Sequence, residues 1–115
     1  MAGVYFLYSP DTKLIKIGRS SDVFKRLRAL SSQSSARLTV AAFFPCSNHV
    51  QAENWLHTYF AAARKHGEWF DFDLKDIEWG LRAWVLNSSE TDALKYAMTE
   101  AASREQLEAQ GMVFA

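Results

Sequence analysis

Residues 14–30, LIKIGRSSDVFKRLRAL, constrain the fold of this chain more than any other stretch. The first four residues are predicted to form a short β-strand, which Gly18 ends. Residues 20–22 then offer several N-cap candidates for a helix. The apolar positions of that helix are Val23, Leu27 and Leu30. A strand that passes through a glycine into an amphipathic helix predicts an α/β arrangement.

One cation of this helix needs an explanation. Arg26 falls inside the apolar stripe on a helical wheel, whereas Lys25 and Arg28 point elsewhere. One interpretation is that the Arg26 stem covers apolar surface while its head reaches solvent or a carboxylate. The other is that its guanidinium is fixed so that it can bind a phosphate. The helix alone leaves both open.

A β-hairpin is predicted to precede the helix. Residues 3–8, GVYFLY, have strand composition, and residues 9–12, SPDT, have that of a tight turn. A loop of those four residues places Tyr5 opposite Lys16, on the same face of the sheet. Such a pair is either a contact between a ring and a cation or a base whose ionisation the ammonium favours.

The remaining elements complete a predicted α+β sandwich of the α/β class. Residues 38–45 form a third strand, apolar enough to be central and ended by Pro45, and a helix follows from His49 or Val50 to about His66. We expect a central three-stranded mixed sheet flanked by helices. Residues 68–72 are predicted as a short strand or edge, followed by helices that begin at Asp73 or Asp76 and at Ser88 or Ser89. One face of the longest helix carries Glu53, Leu56, His57, Phe60 and Arg64, and its charged groups form either a row of ion pairs or part of a site.

Composition restricts the function classes. At 115 residues, with 49% hydrophobic and 23% charged residues, the chain is expected to be one globular domain. It has no apolar run near the roughly 20 residues that cross a bilayer and no signal-peptide pattern, so we expect a cytoplasmic protein without a membrane partner. A single cysteine, Cys46, fits a reducing compartment.

The zero net charge conceals a polarity along the chain. Residues 1–37 carry seven basic and two acidic side chains, whereas residues 67–115 carry four basic and ten acidic ones. The basic third is either a nucleic-acid surface or an ordinary solvated mixture of charges.

These motifs together resemble the GIY-YIG nuclease superfamily. The resemblance rests on GVY at residues 3–5, KIG at 16–18, Arg26 eight residues after Gly18, and a later helix with Glu53. The continuation ENWLHTYFAAARKHGEWF, residues 53–70, is similar to a phage and bacterial branch with lysine in the second motif and a GEWF-like signature. A GIY-YIG-like domain would occupy residues 1–89, with residues 90–115 as a helical extension packed on it.

The resemblance implies a role for each matched residue. Tyr5 would help to deprotonate the attacking water, and Lys16 stands in place of the second motif's tyrosine. Arg26 would hold the scissile phosphate, Glu53 would bind the metal, and His57 would contact substrate or transfer a proton. Gly18, Arg19 and Arg64 are predicted substrate-binding residues. The late asparagine of many relatives is not aligned.

The chain is therefore predicted to be an endonuclease that hydrolyses DNA phosphodiester bonds. A single carboxylate implies one Mg²⁺ or Mn²⁺ ion that keeps several waters. RNA stays open as a substrate, and the C-terminal helices are a candidate homodimer surface. Two alternatives are a nucleic-acid-binding module of the same fold without cleavage, which Lys16 and the unplaced asparagine favour, and a phage accessory interaction protein.

Overall fold

The fold is that of a computed structural model, which describes residues 2–33, 38–88 and 108–109. Along the chain the elements are β1 (Gly3–Tyr8), β2 (Ile15–Ser20), α1 (Val23–Gln33), β3 (Thr39–Pro45), α2 (His49–Tyr59), a short 3-10 helix (Ala61–Ala63), β4 (Arg64–His66), β5 (Trp69–Phe70) and α3 (Asp76–Asn87). The predicted last helix, the extension at 90–115 and its homodimer surface lie outside the described residues, apart from 108–109. Within the described ranges, no helix combines the length and apolar character needed to cross a bilayer.

The sheet differs from the prediction in strand number and direction. It has five strands in the order β3-β1-β2-β5-β4, and every neighbouring pair is antiparallel. The predicted three-stranded mixed sheet is therefore wrong. The crossover through α1 carries the chain past β1, so β3 pairs antiparallel with β1 at an edge of the sheet and is not central. The hairpin β4–β5, which follows α2, supplies the other two strands.

The first hairpin has a different register from the predicted one. Its loop is residues 10–13, because the Lys13 N–H donates to the Ser9 carbonyl at 2.7 Å and Lys13 adopts a left-handed φ of 60°. Tyr5 consequently lies opposite Gly18, and Lys16 lies opposite Leu7. The predicted pairing of Tyr5 with Lys16 is wrong. Both side chains still share a face of the sheet, because the partner has moved by two residues.

The two faces of the sheet carry separate apolar clusters. Helix α1 packs on one face, where its Val23 and Leu27 form a cluster with Tyr5, Leu7, Val40 and Phe43 of the sheet. Helices α2 and α3 cover the other face, where the fully buried side chains include Val4, Phe6, Ile15, Ile17, Phe44, Leu56 and Phe70. Successive side chains of a strand point to opposite faces of the sheet, so neighbouring residues of β1 pack against different helices.

The predicted starts of α1 and α3 are confirmed. An Asp22 Oδ1 oxygen accepts a hydrogen bond from the Lys25 N–H at 3.2 Å, so Asp22 caps α1. Helix α3 begins at Asp76 and buries Ile77, Leu81 and Trp84.

Helix α2 ends seven residues earlier than His66, the predicted end. Phe60 follows the last helical residue and turns into the core, where its ring stacks on Phe72 at a centroid distance of 3.9 Å. The chain then passes through the 3-10 helix into β4. Gly67, directly after the predicted end of the helix, lies in the β4–β5 turn with φ +52°. As a result, Arg64 is on a strand and not on the helical face of Glu53 and His57.

Candidate active site

The candidate site lies along the second half of β2. On β2, the residues that pair with β5 are Ile15 and Lys16, and the Ile17 N–H donates to the Glu68 carbonyl at 3.0 Å. Beyond that bond the β2 edge extends past β5 through Gly18 to Ser20. Side chains of α1 reach this segment from one face of the sheet, and side chains of α2 reach it from the other face.

The Tyr5 ring crosses from β1 over Gly18. A Cβ atom at Gly18 would lie 2.5 Å from the ring Cζ and from the hydroxyl oxygen, so only glycine leaves room for the phenol. Tyr5 is 2% exposed, and the exposed Arg26 guanidinium of α1 hydrogen-bonds to it. The Arg26 guanidinium is therefore open to solvent, as the first interpretation of this residue expects. Its hydrogen bond to the phenol also holds it in place, as the second interpretation requires.

The surroundings of Tyr5 disfavour its ionisation. Burial raises the pKa of Tyr5 above its ordinary value of 10.0, although the Arg26 hydrogen bond and charge lower it; the negative charges of Glu68 and Glu53 raise it further. The cation that opposes this rise is Arg26, from α1, and not Lys16. Both interpretations of a Tyr5–Lys16 pair depended on a register that the hairpin does not have, and the phenol is protonated near neutral pH.

Glu53 is a buried carboxylate in the first half of α2. Its side chain is 8% exposed, and Arg19 Nε lies 3.5 Å from Oε1. The other oxygen, Oε2, is fully buried and has no hydrogen-bond partner among the described residues. Burial raises the pKa of Glu53, as does the charge of Glu68, whereas His57 and Arg19 lower it. A buried anionic oxygen of this kind costs free energy unless it is satisfied.

His57 is held one turn after Glu53. Its Nε2 lies 3.0 Å from the Ile17 carbonyl oxygen, and its ring meets the Phe70 ring edge-on at 5.1 Å. Because a carbonyl oxygen only accepts, this contact places a proton on Nε2. In the neutral ring, Nδ1 is then the nitrogen that can accept a proton.

Sequence reasoning missed Glu68. Its carboxylate lies 3.9 Å from Lys16 Nζ, and its charge acts on both Tyr5 and Glu53. The signal was the GEWF segment, which places an acidic residue directly after Gly67. The overlong helix predicted through His66 concealed that this segment forms a hairpin turn beside β2.

The three predicted substrate-binding residues lie in two separate parts of the sheet. Gly18 and Arg19 lie on β2 within the site, and the Arg19 side chain is 44% exposed. Arg64 lies on the outermost strand, where its Nε donates to the Gly67 carbonyl at 2.7 Å. The structure thus gathers Tyr5, Lys16, Arg26, His57 and Glu53 at one strand edge and directs Arg64 to the outer hairpin.

The residues of this edge fit one loosely held cation and not a preformed cage. Over residues 2–33, 38–88 and 108–109, no group of three or more His, Cys, Asp and Glu is arranged to hold an ion. The unsatisfied Glu53 Oε2 is nevertheless a hard oxygen ligand of the type that Mg²⁺ and Mn²⁺ prefer. Mg²⁺ commonly uses one or two carboxylates and keeps several waters, so a single anchored carboxylate is compatible with it.

The family model of the T5orf172 domain matches residues 2–85, and the chain belongs to that family. No curated protein and no solved structure matches the chain. The resemblance to GIY-YIG nucleases is corrected by this finding, because the matching model is that of a different family. The motifs behind that resemblance are short, and Lys16 already departed from the second of them. The T5orf172 domain is phage-associated.

Proposed function

From its membership of a phage-associated family and the chemistry of the β2 edge, we propose that the protein is a divalent-metal-dependent DNA endonuclease. The observation that carries the proposal is the Glu53 carboxylate, which is buried with one oxygen unsatisfied. Folding alone gains nothing from such a group. The unsatisfied oxygen has a function if it binds a cation beside a substrate phosphate.

The basic side chains around Glu53 suit a phosphodiester substrate. Arg19 and Arg26 are both exposed, and they approach the same strand edge from β2 and α1. A guanidinium can bind two phosphate oxygens at once and stabilise the charge that develops on them. Arg26 is the better candidate for the scissile phosphate, because its hydrogen bond to Tyr5 fixes its head.

Hydrolysis requires that water attacks phosphorus while the bond to the leaving oxygen breaks. The Tyr5 phenol is protonated and shares its oxygen with Arg26, so its O–H is available to orient the water or a phosphate oxygen. His57, with its Nε2 proton held by Ile17, has Nδ1 available to accept the proton that the water loses. Tyr5 therefore acts as the orienting group in this assignment, and His57 as the base.

Glu53 would hold the cation through Oε2, while Arg19 stays at Oε1. The ion would supply positive charge at the phosphate and a more acidic bound water. Removing the carboxylate, rather than neutralising a distant charge, is therefore the change that should abolish cleavage.

A second candidate is a DNA-binding module that does not cleave. The raised pKa of Tyr5 favours it, because burial leaves the phenol without the activation expected of a base. In addition, the Lys16 ammonium group lies 3.9 Å from the Glu68 carboxylate, so Glu68 competes with a substrate phosphate for this cation. Binding without cleavage requires the basic surface but not Glu53.

The test is a plasmid assay with purified protein and Mg²⁺. The endonuclease proposal expects nicking or linearisation that EDTA stops and that Glu53→Ala and Arg26→Ala abolish. Glu78→Ala and Arg82→Ala are matched controls, because these residues form an exposed pair on α3. Tight DNA binding without cleavage by the wild-type protein would favour the second candidate.

A further inference from the structure

Strand β5 contributes to the apolar core on one face only. Its Phe70 is fully buried in the cluster beneath α2 and α3. On the other face of the sheet, the cluster beneath α1 takes its buried sheet residues from β1 and β3. The α1 face of β5 therefore lies beside that cluster and outside it.

Trp69 is the residue that β5 places on this face. It lies directly opposite Lys16, which in turn lies opposite Leu7 of the α1 cluster, so all three side chains share the α1 face. The Trp69 side chain is partly exposed. Over residues 2–33, 38–88 and 108–109, neither apolar cluster includes it and no aromatic ring contacts it. Packing of the core therefore does not explain this large aromatic side chain.

Basic and polar groups flank Trp69 on both neighbouring strands. Lys16 of β2 is opposite it on one side, and the exposed His66 of β4 is opposite it on the other. The three residues form a row across the sheet, with about 5 Å between neighbours. The Lys16 ammonium group lies 3.9 Å from the partly exposed Glu68 carboxylate, a separation at which an ion pair is weak. An aromatic ring beside basic groups is the arrangement that binds single-stranded nucleic acid, because the ring stacks on a base and the cations hold the backbone.

The row continues into the candidate site along β2. Lys16 and Gly18 lie on the same face of that strand, and the Tyr5 phenol crosses Gly18, where Arg26 hydrogen-bonds to it. The α1 face thus carries Arg26, Tyr5, Lys16 and Trp69 in succession. A DNA strand with a phosphate at Arg26 can bring a neighbouring base over Trp69.

Resting on the proposed function, we infer that Trp69 stacks on an unpaired base of the DNA substrate, next to the phosphate that Arg26 binds. Lys16 contacts the backbone phosphate of that nucleotide in place of Glu68. A base inside a duplex is stacked between its neighbours, so only an unpaired or extruded base can offer its face to a side chain. The protein therefore selects DNA that contains an unpaired nucleotide over a perfect duplex.

The test is fluorescence anisotropy in Ca²⁺ with three labelled DNAs: a perfect duplex, the same duplex with a one-nucleotide bulge, and that bulge without its base. The wild-type protein should bind the bulged duplex most tightly. Removing the bulged base should weaken binding by roughly 5- to 150-fold, as loss of one base–aromatic stack does. This comparison needs no variant.

Variants then assign the stack to Trp69. Trp69→Ala should show the same loss on the bulged duplex and should bind the abasic bulge as the wild-type protein does. Trp69→Phe, which keeps a ring, should recover most of the affinity. Trp79→Ala is the matched control, because Trp79 is an exposed tryptophan on α3, and it should leave all three affinities unchanged. Thermal unfolding of each variant shows whether it is folded.

The outcomes separate this inference from the proposed function. Equal wild-type affinity for the bulged and abasic DNAs, or wild-type affinity in Trp69→Ala, would overturn the inference, and cleavage of plasmid in Mg²⁺ would still support the endonuclease. Base-dependent binding through Trp69 by a protein that never cleaves DNA would support the inference and remove the proposed function. Sedimentation of the DNA-free protein tests the other occupant of this face. A dimer that Trp69→Ala dissociates would assign the face to a second copy of the chain and overturn the inference.

Discussion

The hydroxyl end of Tyr5 rests on Gly18, its direct partner across the β1–β2 ladder. The missing side chain at Gly18 lets a residue of one strand present its phenol at the far edge of the next. Arg26 hydrogen-bonds to the phenol there, and the charges of Glu53 and Glu68 act on it. The site therefore depends on the absence of a Cβ atom as much as on any charged group.

Gly18→Ala should displace the phenol. Its Cβ would meet the Tyr5 ring at 2.5 Å, so we expect a destabilisation of about 1–3 kcal/mol by chemical denaturation, together with loss of cleavage. Gly80→Ala is the matched control, since its Cβ would meet the Phe60 ring at 2.7 Å away from the site. Equal cleavage by both variants at equal stability would contradict the role given to Gly18.

Glu53→Gln should stabilise the protein. The raised pKa of Glu53 means that the folded state binds its proton more tightly than the unfolded state does. Stability due to this group is therefore present below the unfolded pKa and is lost as the pH rises through the folded pKa. We expect the melting temperature of Glu53→Gln to exceed that of the wild type at neutral pH, by the equivalent of roughly 1 kcal/mol. The difference should shrink toward pH values below the ordinary Glu pKa.

The control for that series is Glu78→Gln. Glu78 forms an exposed pair with Arg82 at 2.7 Å, which makes its expected effect small. A wild-type protein that is more stable than Glu53→Gln at neutral pH, without added metal, would show that the buried carboxylate is satisfied.

Glu68→Gln should lower the pKa of Tyr5. The negative charge of Glu68 raises that pKa, and glutamine removes the charge at nearly constant volume. The measurement is a ¹³Cζ-tyrosine titration by NMR, in which Tyr5 is assigned through Tyr5→Phe. Glu78→Gln should leave the titration unchanged. A rise in the Tyr5 pKa in Glu68→Gln would mean that Glu68 acts on the phenol through something other than its charge.

Arg26→Gln should weaken DNA binding and reduce its salt dependence. A lost phosphate contact lowers the slope of log affinity against log salt by about 1. Fluorescence anisotropy with a labelled duplex in Ca²⁺, over a range of salt concentrations, gives this slope. Arg82→Gln on α3 should keep the wild-type slope. A slope that responds equally to both variants would place the DNA elsewhere.

Local sequence signals predicted much of this fold. The strand composition of GVYFLY, the Asp22 cap and the apolar spacing of α1 and α3 are local features, and the corresponding elements are present. The strand order depends on long-range pairing, in which β3 crosses to the far side of β1. No local pattern encodes that choice.

The site was predicted in part, for the same reason. Tyr5, Arg26 and Glu53 were proposed together, and the geometry brings them to one edge of β2. Lys16 was assigned to Tyr5 because a loop shifted by one residue changes every opposite pair. Glu68 was missed because the packing of Phe60 on Phe72, a tertiary contact, ends α2 early and creates the hairpin.

The most direct test of the account is single-turnover cleavage by Arg26→Ala, Glu53→Ala and the double variant, in Mg²⁺ and with DNA saturated by protein. If the two residues serve one centre, each single variant should lose cleavage and the double variant should be no slower than the worse single variant, because residues that act as a unit are non-additive. Cleavage at the wild-type rate by either single variant, or losses that multiply in the double variant, would contradict a common centre at the β2 edge.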